Sequence, residues 1–224
     1  MTTSAVDTYI SDGNITLFFG SHSCTFKEDI LYSSLLGQLS SNVKSTTADS
    51  WLHLYKKTLG SIFWTTKSDT IQTPSVKSAS LLKLAKLCLQ NYLSATEIDL
   101  LTQSLSNIKQ LPSDGDIMST LVNKIQHRDI GENQPATTTC PLLTIVRKDK
   151  MIISLFVSFE TTEAIGISVL DEELTLKKPF NPPRIYQWVT YLGEDNYASV
   201  RHAVIEKLGV NTKTKLMHLD SLHA

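Results

Sequence analysis

The chain has 224 residues, 41% of them hydrophobic and 19% charged, with a formal net charge of −1. That content excludes general disorder, and the near-neutral balance supplies no long-range field to draw in nucleic acid or an anionic membrane, so it argues against a nucleic-acid partner. Three cysteines, an odd number without paired metal-ligand spacing, argue against a disulfide framework and a zinc cluster. Serine and threonine together make up roughly a fifth of the chain, so the expected surface is polar but weakly charged.

The N-terminus lacks the basic start and apolar core of a secretory signal, and no run of about eighteen apolar residues occurs. The expectation is a soluble protein without a transmembrane segment, cytoplasmic or exported without a cleavable signal peptide. Asn14-Ile-Thr-Leu-Phe-Phe-Gly20, preceded by the turn pair Asp12-Gly13, predicts a strand. From Lys27 to Lys44 the residues Leu31, Leu35, Leu39 and Val43 recur every four positions, widened by Ile30 and Leu36, which predicts a helix with one buried face.

Asp49 or Ser50 would cap a second helix carrying Trp51, Leu52, Tyr55, Leu59, Ile62 and Phe63. A third follows Ser80, so rich in leucine that it reads as central. Ser94 and Glu97 form a capping box ahead of Ile98, Leu101, Leu105 and Ile108, and Asp114 or Asp116 opens a helix with Ile117, Leu121, Val122 and Ile125 on one face. Residues 129–136 break the helical period. Beyond them, residues 137–147 and 150–162 predict an antiparallel hairpin about Lys148-Asp149, with Ile153, Leu155, Val157 and Phe159 on one face.

Short strands are expected over 165–170 and 174–180, a break at Asn181-Pro-Pro183, a strand over 184–192, one helix over 193–209 and a closing strand over 213–219. The pattern therefore predicts an α+β fold: an N-terminal layer of about five helices packed with a mainly antiparallel C-terminal sheet plus one helix. Residues 1–130 would be the mainly helical part and 131–224 the mainly β part. The two parts are expected to form a single cooperative unit over 1–224, because the strand at Asn14 needs a sheet to join.

No catalytic constellation, metal site or cofactor motif stands out. Two thiols are candidates for a reactive or acylated group: Cys140, at the entrance of the hairpin beside Pro141, and Cys24, in a loop two residues from His22. Each also reads simply as a small packing residue, as does Cys88 within its leucine-rich helix. A candidate binding surface combines Phe180 and Arg184, on either side of the proline break, with Tyr186 and Trp188 of the next strand, since stiff aromatics bury area at little entropic cost. The simpler alternative is a sheet crossover with those aromatics packed inward.

Asp171-Glu172-Glu173 lacks the alternating oxygen ligands of a calcium loop and reads as a solvated turn. The sequence thus points to a binding or assembly protein, with another protein or a small apolar ligand as the kind of partner. The rival expectation is a cysteine-dependent enzyme or an S-acylated, lipid-associated protein using Cys140 or Cys24. The oligomeric state is not fixed by any of these patterns.

Overall fold

The computed structural model describes residues 6–45, 47–112, 115–129, 136–139, 141–177 and 181–219. Its first element is a hairpin, β1 (Val6–Ser11) and β2 (Asn14–Phe19), in register from Val6 opposite Phe19 to Ser11 opposite Asn14. The turn closes at Asp12, whose φ of 52° lies in the left-handed region that Asp tolerates through local side-chain hydrogen bonding.

Ser23 then caps α1 (Cys24–Lys44), its hydroxyl accepting the Phe26 amide at 3.2 Å. Thr47 caps α2 (Ala48–Ser61) in a reciprocal box with Ser50. After α2 the chain turns through Phe63 into β3 (Trp64–Gln72). A short strand β4 (Ser78–Ala79) precedes α3 (Leu81–Leu89), capped by Ser80. Next comes α4 (Ala95–Lys109), whose Ser94–Glu97 capping box has both hydrogen bonds in place.

The order continues with α5 (Asp116–Ile125), β5 (Gln126–Asp129), β6 (Ala136–Thr139), β7 (Leu142–Val146) and β8 (Ile152–Thr161). A 3₁₀ turn at Ile167–Leu170 and β9 (Leu174–Thr175) lead to β10 (Arg184–Leu192). The described chain closes with α6 (Glu194–Ala198), α7 (Arg201–Leu208), α8 (Asn211–Thr214) and β11 (Leu216–Leu219).

Seven strands lie side by side in the order β11-β1-β2-β7-β8-β10-β3, with β5 and β6 branching from β8 and a separate small sheet pairing β4 with β9. One pair of the seven is parallel. It is β2 with β7: Asn14 meets Thr144 near their starts, and Gly20 and Lys148 come together just past their ends. The inner strands β2 and β7 are buried along their whole length, as is β8 from Ile152 to Val157. Both faces of these strands are therefore covered.

This architecture corrects the layered arrangement expected from the period change. Among the described residues eight helices are spread along the sequence rather than gathered in one N-terminal layer of five, and the sheet is mixed rather than simply C-terminal. Three of its seven strands, β1, β2 and β3, come from the part expected to be mainly helical. Two more local readings change. Residues Ile167–Leu170 form a 3₁₀ turn, not a strand, and the helix expected over 193–209 is broken into α6 and α7. At that break Ser199 Oγ bonds the Asn196 carbonyl at 2.6 Å, competing with the helical ladder.

Contacts divide the chain into two compact units, each assembled from separated segments. The first comprises the described residues within 1–69, 144–154 and 188–219; the second, those within 70–143 and 155–187. Within the first, α1 packs on α2 and α7. At Gly37 α1 comes close to α2: a Cβ there would lie 2.9 Å from the Tyr55 ring. Within the second, α3, α4 and the 3₁₀ turn pack together through Leu84, Leu101, Leu105, Val169 and Leu170, all fully buried.

Candidate functional site

Of the two thiols expected to carry chemistry, Cys24 lies among the described residues. Cys24 is the first residue of α1 and is exposed. Its sequence neighbour His22 is committed elsewhere: Nε2 bonds the Phe19 carbonyl at 3.2 Å and the ring stacks on Phe26 at 5.4 Å. Burial holds the His22 pKa below its ordinary value. Among the described residues no hydrogen bond joins His22 to Cys24. Cys88 is buried in α3, and desolvation pushes its thiol up to about 11, so it stays protonated and inert at neutral pH. Cys140 lies outside the described residues.

Of the proposed platform residues, Arg184, Tyr186 and Trp188 lie among the described residues. Phe180 lies outside the described residues. Along β10 burial deepens from Arg184, which is exposed, through Tyr186, half-buried with its ring 6.1 Å from Phe156, to Trp188, only 1% exposed. Trp188 packs edge-on against Tyr55 with the Lys56 ammonium 4.6 Å from its ring. The alternation that put these residues on one face of a strand is present, but Trp188 spends its area on the interior.

The acidic run is tied to helices of its own unit. Lys83 pairs with Glu173 at 2.7 Å, and Lys109 reaches Asp171 at 2.8 Å and Glu172 at 2.7 Å. Lys83 and the Ser78 hydroxyl lower the Glu173 pKa. Among the described residues no group of three or more His, Cys, Asp or Glu side chains could hold a metal ion, and no helix is long and apolar enough to cross a membrane.

Several buried polar side chains of the first unit pair with one another, while Ser11 Oγ, Trp188 Nε1, Thr190 Oγ1 and the Tyr197 hydroxyl are buried without a hydrogen-bond partner among the described residues. The Asn14 amide nitrogen reaches Ser34 Oγ at 3.0 Å, Thr144 Oγ1 at 3.1 Å and Thr16 Oγ1 at 3.2 Å, and Ser34 shares a hydrogen with the Tyr55 hydroxyl at 2.9 Å. Gln38 spans the first hairpin, donating to the Ser11 carbonyl and accepting from the Gly13 amide, both at 3.0 Å. Asp29, 2% exposed, receives Arg201 through Nε and Nη2 at 2.7 Å each. These bonds position α1; their donors and acceptors are occupied, which fits structure rather than reaction chemistry.

What remains open is β3. Among the described residues it is the last strand of the sheet path, paired with β10, and of its nine residues Trp64 is buried while the other eight are exposed. Its start is fixed. Phe63 adopts φ 68°, a strained value for an aromatic residue, and its carbonyl accepts the Gly193 amide at 3.0 Å. The Trp64 indole donates to Ser33 Oγ at 3.0 Å. Farther along, Thr70 and Gln72 reach Gln187, and Asp69 takes the Lys56 ammonium at 2.7 and 2.9 Å.

Beyond those ties the strand presents Thr65, Thr66, Lys67, Ser68 and Ile71 outward, Ile71 with 63% of its area exposed. Such an edge offers a row of backbone donors and acceptors to another strand. The sequence reading missed it by carrying the aromatic stripe of α2 on through Phe63. The signal was there in Trp64, Thr65, Thr66, Thr70 and Ile71, five residues of high strand propensity.

No protein-family model matches the chain, and no curated protein matches it. Two solved structures show weak similarity to the chain. One is described as "DELTA-ENDOTOXIN", 9% identical, with a TM-score of 0.47 over 82% of this chain and 84% of that one. Another is "Structure of the Evf virulence factor", 11% identical, with a TM-score of 0.38 over 89% of this chain and 81% of that one. Likeness at that level does not bear on what this chain does.

Proposed function

We propose that the protein works by non-covalent binding or assembly, with the β3 edge as its contact surface, rather than by cysteine chemistry. The observation that carries this reading is the edge itself: a nine-residue strand at the end of the sheet with eight residues exposed. Edge strands of that length are ordinarily shortened, covered or crowded with charge, because an open ladder recruits another chain. Here four of the eight exposed side chains, Thr65, Thr66, Ser68 and Thr70, are hydroxylic, which suits a contact that forms and releases without a large apolar patch on the free protein. The rival reading needs a thiolate with a base within reach. His22 bonds Phe19 instead, which weakens that reading for Cys24.

Intact mass and thiol labelling test the choice. The expected result is a bare chain of 24.9 kDa whose Cys24 alkylates at the rate of an ordinary exposed thiol. A heavier species that Cys24→Ser or Cys140→Ser returns to the bare mass would overturn the proposal in favour of acylation. A thiol that labels at least about a hundredfold faster than a free cysteine would overturn it in favour of an enzyme.

A further inference from the structure

We infer that the occupant of the β3 edge is a second copy of this chain, paired antiparallel through β3 about a two-fold axis at Ser68. The inference rests on the reading of β3 as a contact surface and adds the partner and the register. Its basis is a self-complementarity in Trp64-Thr-Thr-Lys-Ser-Asp-Thr-Ile-Gln72.

In an antiparallel pair, residues directly opposite share a face and lie close enough for their side chains to interact. Centred on Ser68, Lys67 of each copy faces Asp69 of the other, Thr66 faces Thr70, and Thr65 faces Ile71. The Lys67–Asp69 ion pair and the Thr66–Thr70 pair are thus each formed twice by symmetry, as an isologous contact requires.

The neighbouring two-fold registers are penalised by the same residues. A centre at Lys67 sets Lys67 against Lys67, and a centre at Asp69 sets Asp69 against Asp69; like charges directly opposite are destabilising. Lys67 and Asp69 therefore select one pairing instead of merely blunting the edge. Asp69 is 49% exposed while it holds Lys56, so one side of its carboxylate stays open to a second cation. Among the described residues, the strand at the other end of the sheet path, β11, has four residues, against nine in β3. One strand pair buries less area than a permanent dimer needs, so the association is weak and concentration-dependent.

Sedimentation of the full chain over a wide concentration range tests this. The weight-average mass of the wild type is expected to climb from 24.9 kDa towards twice that value. Lys67→Asp and Asp69→Lys each place like charges across the axis and should weaken self-association at least about tenfold. Two further arms carry the register. An equimolar mixture of the two single variants, and the double variant K67D/D69K, both restore opposite charges and should regain wild-type association. These are exposed positions, and matched circular dichroism and melting curves verify that each variant is folded.

A wild type that stays monomeric throughout, a dimer indifferent to both single changes, or a mixture that fails to associate would each overturn the inference. The intact-mass and labelling results speak separately to the binding reading, so the two can fail independently.

Discussion

The helices of the two units are held by different chemistry. Of the eleven residues that α1 buries, five are polar: Asp29, Ser33, Ser34, Gln38 and Ser41. In the second unit, α3 buries Leu81, Leu84, Ala85, Cys88 and Leu89, and α4 buries Leu101, Leu105 and Ile108 beside the single polar Ser104. An apolar contact rewards any side chain of the right volume, whereas a buried polar contact rewards only the partner that completes its hydrogen bonds. The first therefore tolerates change, and the second fixes where α1 sits along its neighbours.

The sharpest way to break that comparison is at Asp29. Arg201→Ala leaves a carboxylate that is 2% exposed without its cation. The expected loss is about 3 kcal/mol, the low end for a buried pair because the Arg201 side chain is 34% exposed and water can partly replace it. Urea unfolding measures it. A loss below about 1 kcal/mol would mean that the pair behaves as a surface ion pair and that α1 is not held through it.

Volume-conserving swaps compare the two chemistries directly. Asn14→Leu is nearly isosteric but deprives Ser34, Thr16 and Thr144 of a shared partner, and should cost about 1–3 kcal/mol. Leu101→Met, at a fully buried site of α4, should cost less than about 1.5 kcal/mol. Equal effects would show that the polar layer has no special demand for its partners.

The smallest effect is pH-dependent and belongs to His22, whose folded pKa lies below 6.5, first because burial disfavours its charged form. The unfolded chain then binds the proton more readily than the folded one. Stability from this group is complete above 6.5 and declines as the pH falls through the lowered folded value. His22→Phe, which keeps a ring against Phe26, should flatten that decline. Unfolding curves at neutral pH and about one unit below 6.5 measure the difference. A wild-type protein as stable at the lower pH as at the upper would contradict it.

Much of the local structure was legible from residues. The four-residue spacing of α1, the Ser94–Glu97 box and the face of β8 all state their element directly, since caps and periodicity are properties of neighbouring positions. Less visible was anything decided by a distant partner. β1 alternates Val6, Thr8 and Ile10, and β3 is rich in hydroxyls and charge; each is a strand because another backbone lies beside it. The stretch Ile165, Ile167 and Val169 shows the opposite error. Its alternation suggests a strand, yet the chain coils into a 3₁₀ turn that buries Val169 and Leu170. For the candidate site, the spacing of Arg184, Tyr186 and Trp188 gave their common face, but only the fold shows that the interior claims Trp188.

The pairing of β1 carries a consequence for how the protein is made. β1 is bonded on one side to β2, only two residues away, and on the other to Leu216–Leu219. At about 5–20 residues per second, the ribosome delivers that second partner roughly 10–40 s after the first hairpin emerges. Through that interval the outer edge of β1 is uncovered, and the parallel neighbour of β2 is likewise still to be synthesised for most of it. Chaperone demand during translation should therefore fall on the nascent N-terminal hairpin, and slow codons placed before β11 should raise aggregation more than the same codons placed after it.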